Sequence, residues 1–394
     1  MTASAIAADR PASALLRTAV ISLTAFLTAV DLFAAQAILP ALAQAYHASP
    51  ADMGLALNAS TLGMAGGGLF VGLFGARLDR RRTIAGSLAL LAIPTLLLAF
   101  APNLAVFAGL RIAQGLCMAT AFSLSLAYLG DRYMGAGTAG AFAAYIAGNV
   151  ASNLVGRLIS AGVADHFGIG ASFMSFAILN LAGALLAITT MRTMSKSEVT
   201  TTTGSWRRLW SNPRLRRAFG VGFCILFVFI GVFTYVNFVL ARPPLELGMM
   251  RTGFAYFVFL PSIFTTPLAG KAVARIGTPK TLWASLGMAA VGLPMLLAPS
   301  LPLVLAGMTI VAIGTFFAQA VVTAFVGQAA GEDRAAASGT YLACYFLGGL
   351  AGTAVLGPLF DNFGWGACVA GVAVGLAAAA VMGRSLVVTK GAAA

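Results

Sequence analysis

Three side chains of this 394-residue sequence carry charge inside otherwise apolar stretches: Asp31, Arg111 and Arg157. An ionisable group within a membrane-spanning helix costs roughly 2.5 to 3.5 kcal/mol on insertion scales, so each asks for a function or a partner. Asp31 lies nine residues before Pro40, Arg111 eight after Asn103 and Arg157 eight before Asp165. At about 1.5 Å per residue, each then sits roughly 12 to 14 Å from the same end of its helix. A carboxyl and two guanidiniums at one depth can form a fixed ion pair that locks helices together. They can also handle a proton, because burial and a neighbouring cation act oppositely on a carboxyl and leave its protonation sensitive to movement. Recognition of a cationic substrate by Asp31 is a third use. Residue types alone leave all three open.

Polar residues accompany the charges at helical spacing, where i, i+4 and i+8 fall near one face. Thr24 and Thr28 precede Asp31, Gln114 follows Arg111, and Asn149 and Asn153 precede Arg157. Further along stand Thr234, Tyr235 and Asn237, then Thr315, Gln319 and Thr323. With Gln36, Asn58, Tyr256 and Tyr345 these are the candidates for a water-accessible, substrate-binding cavity. The alternative for any single Thr or Asn is an interhelical hydrogen bond.

The elements that carry these residues are helices in a bilayer. The chain is 60% hydrophobic and 9% charged, against about 25% charged in soluble domains. A span takes roughly 20 apolar residues, and the breaks place spans starting near residues 17, 53, 83, 104, 137, 169, 217, 249, 279, 302, 335 and 365. Twelve transmembrane helices are expected. Twenty of the 24 Lys and Arg residues fall in alternate gaps and the two ends, while the intervening gaps hold only Arg242 and Arg251. Because Lys and Arg resist translocation, both termini are expected in the cytoplasm. The first apolar stretch contains Asp31 and is followed by eleven more, so it reads as a span, not a cleaved signal.

The net charge of +13 belongs to these loops and the anionic leaflet they face, and no nucleic-acid motif accompanies it. Cys117, Cys224, Cys344 and Cys368 lie in apolar segments without metal or redox spacing, so they read as packing thiols. His47 and His166 fall in short loops, and no nucleophile or metal motif appears, which argues against an enzyme and against any metal or cofactor.

The longest polar stretch, 191–216, is rich in Thr, Ser and Arg and separates 14–190 from 217–388. The two parts resemble each other. Ala143, Tyr145 and Gly148 recur as Ala343, Tyr345 and Gly348, and Asp165-His-Phe-Gly168 recurs as Asp361-Asn-Phe-Gly364. GARLDRRRT at 75–83 is echoed by GKAVARIGT at 270–278. Several matches in one order indicate a duplicated six-span unit, an all-α membrane fold of two pseudo-symmetric bundles with a cytoplasmic linker. Glycines concentrate in the second span from Gly63 to Gly75 and in the eleventh at Gly348, Gly349 and Gly352, which allows close backbone approach.

Over essentially the whole chain the residues resemble the major facilitator superfamily, specifically its twelve-span drug and sugar efflux members. Leu110-Arg111-Ile112-Ala113-Gln114-Gly115 is similar to the family's fourth-helix motif R-x-x-Q-G. The resemblance implies a proton-coupling role for Arg111, beside Asp31. Gly75, Asp79, Arg80 and Arg82 resemble the cytoplasmic gate motif between the second and third helices. Asp79 is accordingly expected at the positive start of the eleventh span, near Ala335. The second glycine of that motif is missing, Ala274 stands where the C-terminal copy would have aspartate, and the helix-5 antiporter signature keeps only Gly148 and Gly156, without its proline. The Gly148-Asn149 and Gly156-Arg157-Leu158-Ile159-Ser160 runs are similar to a bacterial inner-membrane group catalogued as arabinose-efflux permeases. The resemblance implies a monomeric exporter of a small organic molecule, drug-like or sugar, driven by a proton gradient without a cofactor. Uptake or facilitated diffusion of a metabolite is the alternative.

Overall fold

The computed structural model describes residues 11–132, 136–191, 206–330 and 334–386. The core of the expected linker, 192–205, and both chain ends lie outside these. Among the described residues every regular element is a helix, without a strand.

The first half runs α1 (Pro11–Ala34), α2 (Leu39–Ala45), α3 (Pro50–Asn58), α4 (Ser60–Phe74), α5 (Arg80–Leu98), α6 (Leu104–Arg132), α7 (Ala136–Phe167) and α8 (Ile169–Thr190). A short α9 (Trp206–Ser211) leads into the buried α10 (Pro213–Leu240). Then come α11 (Met249–Ala255), α12 (Leu260–Thr265), α13 (Ala269–Ile276), α14 (Thr278–Gly292), α15 (Leu301–Ala329) and α16 (Arg334–Gly383). Among the described residues nine helices are long and apolar enough to cross a membrane, or ten with the bent α1–α2 pair.

Prolines and glycines set several of the breaks. Proline lacks the N–H an uninterrupted helix needs. Ahead of Pro40, residues 35–38 form a turn, and α2 leaves α1 at 49°. The path through α11, α12 and α13 is interrupted by 3-10 turns at Tyr256–Phe259, just before Pro261, and at Thr266–Leu268, which holds Pro267. Both copies of the Asp-x-Phe-Gly end turn the chain at their glycine: Gly168 has φ 89° and Gly364, which breaks α16, has φ 79°. Side chains with a Cβ rarely adopt that conformation.

The outside of the bundle is apolar and its interior partly polar, the reverse of a soluble domain. On α8 the exposed Ile178, Leu181, Leu185 and Ile188 share one face, while Asn180 points inward and is fully buried. Lipid is the solvent that tolerates such a surface.

The duplication has a packing counterpart. α1 packs along α7, and α10 packs along α16. At the centre of each pair a glycine meets a backbone carbonyl: a Cβ on Gly148 would lie 1.9 Å from the Ser22 oxygen, and one on Gly348 2.0 Å from that of Phe223. Neither contact can be relieved by a flexible side chain. Gly148→Ala and Gly348→Ala are each expected to cost ~1–3 kcal/mol or more by overpacking. Thermal unfolding of the purified variants checks this. Gly86→Ala, where nothing lies within 4 Å of the new methyl, is the neutral control.

Candidate functional site

The site begins at the helix breaks. At the end of α1, Gln36 N–H bonds the Phe33 carbonyl one residue early, which leaves the Leu32 carbonyl without a helical donor. A second interruption lies between α3 and α4, at Ala59. Arg111 of α6 serves both. Its Nη2 donates to Leu32 O at 3.1 Å and its Nε to Leu57 O at 2.8 Å. Nη1 reaches Asp31 O at 3.2 Å and Gln114 Oε1 at 2.7 Å, and Nη2 also reaches Ser60 Oγ at 3.1 Å. A guanidinium has five N–H donors, and here five oxygens receive them. The side chain is a clamp on two broken helices.

The Asp31 carboxylate points elsewhere, between α1, α5 and α8. Its Oδ2 accepts from Asn180 Nδ2 at 2.6 Å. That amide also donates to Thr95 Oγ1 at 3.2 Å, which takes a second bond from Gln114 Nε2 at 2.7 Å. Arg111 therefore meets Asp31 twice, directly at the backbone carbonyl and indirectly through Gln114, Thr95 and Asn180. No ion pair joins them. Asn180 Oδ1 is buried without a donor.

A central cavity of about 100 Å³ lies between the halves. Helices α1, α4, α6, α7, α10, α15 and α16 wall it, with Thr28, Thr61, Asn149, Asn153, Gln319 and Tyr345 as its polar points and Phe33, Phe229, Phe316 and Phe346 among its apolar ones. Asp31, Arg111 and Arg157 do not line it. Burial among helices, not a shared hollow, is their common property. Their similar spacing from the expected helix ends, legible in the sequence, does not fix the direction in which each side chain points.

Arg157 lies apart from the other two. Its Nη1 donates to Asn153 O and Oδ1 at 2.7 and 2.8 Å, and its Nη2 to Gln36 Oε1 at 2.5 Å. The guanidinium stacks on Tyr256 at 4.1 Å, across the junction of the two halves.

Other expected cavity residues serve that junction or their own helices. Asn58 Nδ2 donates to Gly54 O and Thr234 Oγ1, and Tyr235 Oη donates to Thr353 O. Tyr256 Oη donates to Asn237 Oδ1, whose Nδ2 returns to Phe233 O. The Thr315 hydroxyl bonds Val311 O within its own helix. At the expected gate, Arg80 Nη1 donates to Gly75 O at 3.0 Å, and Arg82 is exposed. Asp79 is the N-cap of α5, where its Oδ1 accepts from Arg82 N at 2.8 Å; the chain leading into the eleventh span, 331–333, lies outside the described residues. A carboxylate one residue before a helix satisfies an orphan N–H there. α4 and α16 meet at this end through Gly68, Gly72 and Gly339.

Sequence reasoning missed Asn180, Thr95 and Ser60, the partners of Asp31 and Arg111. The signal was present in Asn180, a lone amide in the apolar run from Phe176 to Ile188. It also missed the phenylalanine walls, because no period separates a phenylalanine facing a cavity from one facing lipid.

A polytopic helical protein with a cavity between two similarly packed halves is, by class, a membrane transporter. The family comparison agrees: the model of the Major Facilitator Superfamily matches residues 21–260 and 243–393. The chain belongs to that superfamily, whose members transport and are not enzymes. It is 28% identical over 360 residues to the inner membrane transport protein YnfM of Escherichia coli (strain K12), covering 90% of this chain and 86% of that one. It is 24% identical over 345 residues to YybF, an uncharacterized MFS-type transporter of Bacillus subtilis (strain 168), covering 86% and 85%. Among solved structures, a bacterial homologue of the human lysosomal transporter Spinster, inward-facing and occupied, shares the fold. The TM-score is 0.74 at 14% identity, covering 96% of this chain and 97% of that one.

Proposed function

We propose that the protein exports a small, largely apolar organic molecule across a bacterial inner membrane in exchange for protons, its two halves rocking about the central cavity. The observation that carries the proton is Asn180 Oδ1, buried beside Asp31 and short of a donor. A protonated Asp31 can supply that donor, whereas an ionised one accepts from Asn180 Nδ2. Each protonation state thus has a partner in the same amide, and a change of state rearranges the bonds among α1, α5 and α8. The cavity, walled by phenylalanines with a few amides and hydroxyls, suits a drug-like amphiphile better than a sugar.

Twelve crossings with both ends in the cytoplasm belong to this reading. Adding the 32-residue α7 and dividing α16 at Gly364 takes the ten candidate spans to twelve. The alternating Lys and Arg gaps support the orientation, and the bacterial relatives support the inner membrane. The energy source is the proton gradient, with no cofactor, and one chain suffices.

In that orientation the Pro50 end of α3 is external. The halves touch there where Ala51 N donates to Asp361 Oδ2 at 3.2 Å, so the outside is shut. Cysteines introduced as Ala51→Cys and Asp361→Cys are expected to cross-link, stop transport, and restore it on reduction. Transport that continues through the cross-link would mean that the halves do not part at this end.

Reconstituted vesicles test the coupling. A compound found by thermal shift among dyes, antibiotics, sugars and organic acids should accumulate against its own gradient only while protons run down theirs. Movement indifferent to the pH gradient would favour facilitated diffusion. One observation speaks for that second reading: the Asp31 carboxylate does not line the cavity.

A further inference from the structure

Arg111 and Arg157 are equally buried, yet they are not equally satisfied. Arg111 gives all its donors to protein oxygens. Arg157 keeps a buried Nε with no acceptor, and its partner Gln36 keeps a buried Nε2 with none. No carboxylate among the described residues touches Arg157: its polar partners are Asn153, Gln36 and the Tyr256 hydroxyl, all of them neutral. A desolvated cation without counter-charge or full hydrogen bonding is unfavourable in isolation, and the deficit is specific: two donors and one negative charge.

The surroundings narrow what can fill it. The rings of Tyr256, Phe33 and Phe259 hold the guanidinium at 4.1, 5.1 and 5.0 Å, so the hydrogen-bonding capacity that remains lies along its edge. Two residues connect this edge to the central cavity. Asn153 and Phe33 line the cavity on one side and touch Arg157 on the other. The cavity itself has no charged residue in its wall. Its volume, about 100 Å³, approaches the roughly 150 Å³ of an apolar protein cavity that takes up benzene.

We propose that Arg157 and Gln36 form the carboxylate subsite of the transported molecule, which makes the substrate a small organic acid with an aromatic or comparably apolar body. The proposal rests on the reading of the central cavity as the transport site. The ring lies among the phenylalanines, and the carboxylate takes Arg157 Nε and Gln36 Nε2, the two donors that lack an acceptor. Tyr256 and Phe259 come from the opposite half, so parting of the halves at this end uncovers the same guanidinium edge to the other side. One anion site then serves both openings.

The test uses the purified full chain and three acids, acetate, benzoate and 3-phenylpropionate, each beside its neutral amide, with benzylamine as the cationic control. Thermal shift and titration calorimetry read the binding. Benzoate or 3-phenylpropionate is expected to bind saturably and raise the melting temperature, while the amides and benzylamine do not. Arg157→Gln is expected to weaken acid binding roughly 10- to 100-fold, the usual worth of a hydrogen-bonded charge. The unliganded variant should melt no lower, because an uncompensated charge has been removed. Gln36→Leu, a change at a neutral residue, should weaken the same binding several-fold and keeps the test informative if Arg157→Gln does not fold. Acids that bind no better than their amides, or acid binding unchanged in either variant, would overturn the proposal. Failure of the transport reading looks different: the acid binds but does not move in vesicles. Gradient-driven movement of an uncharged compound without acid binding would remove the anion site and keep the transporter.

Discussion

Asp31→Asn is expected to fold and to lose uphill transport altogether. The substitution conserves shape, and the new amide oxygen can accept from Asn180 Nδ2 as the carboxylate does. Its new N–H can donate to Asn180 Oδ1, which is otherwise unmet. The variant therefore mimics the protonated state and holds it permanently. One pH unit is worth about 1.4 kcal/mol, so a one-for-one exchanger sustains roughly a ten-fold concentration ratio per unit. That ratio should fall to one in vesicles carrying the variant, while exchange of labelled for unlabelled substrate without a gradient continues. A ratio that stays near ten would remove Asp31 as the coupling site. Asn180→Leu is expected to act in the same direction but to cost stability as well, since it leaves a buried carboxylate without its donor.

Arg111 carries the second large effect, on the fold. Removing its side chain in Arg111→Ala takes a donor at once from the Leu57, Leu32 and Asp31 carbonyls, the Ser60 hydroxyl and the Gln114 amide oxygen, and leaves Leu57 and Ser60 only the long bond to each other. Each buried polar group left unmet costs about 1–3 kcal/mol, and lipid offers no water to replace the bonds. Loss of folded protein is the expected outcome, measured as recovery and melting temperature after membrane extraction. Arg111→Lys tests geometry without loss of charge. An ammonium has three donors where five are in use, so the variant should melt well below the native protein. A lysine variant as stable as the native chain would show that charge, not the five-fold hydrogen bonding, is what the position requires. By contrast, Thr315→Ala removes only a bond within one helix turn and should change neither stability nor transport by much.

These two residues also show where the site was legible. Rarity of charge in apolar helices singled out Asp31, Arg111 and Arg157 without any structure, because the expense of burying an ion is independent of fold. Their partners were less visible. Asn180, Thr95 and Ser60 are ordinary in type, and what makes them matter is that α5, α8 and the α3–α4 break converge on α1 and α6. Of the residues in polar stripes, Thr28, Asn149, Asn153 and Gln319 lie on the cavity wall. The same reasoning placed Tyr235, Asn237 and Thr315 there too, and they are engaged elsewhere. A stripe marks a face, and the face opposite it depends on how the halves meet.

Hydropathy was enough to determine a helical membrane protein, the repeated Asp-x-Phe-Gly ends marked two of its turns, and helices begin close to the expected breaks at Pro50, Arg80, Leu104, Ala136 and Ile169. Those signals are local: a run of apolar residues needs lipid, and a glycine at a helix end frees the chain to turn, whatever surrounds it. The tertiary structure alone decided that Arg111 grips two broken helices, that the Asp31 carboxylate turns to Asn180, and that Arg157 is left short of an anion beside the cavity. Such outcomes depend on which donors and acceptors from distant segments come within about 3 Å of one another. That is a property of the packed bundle and of no stretch within it.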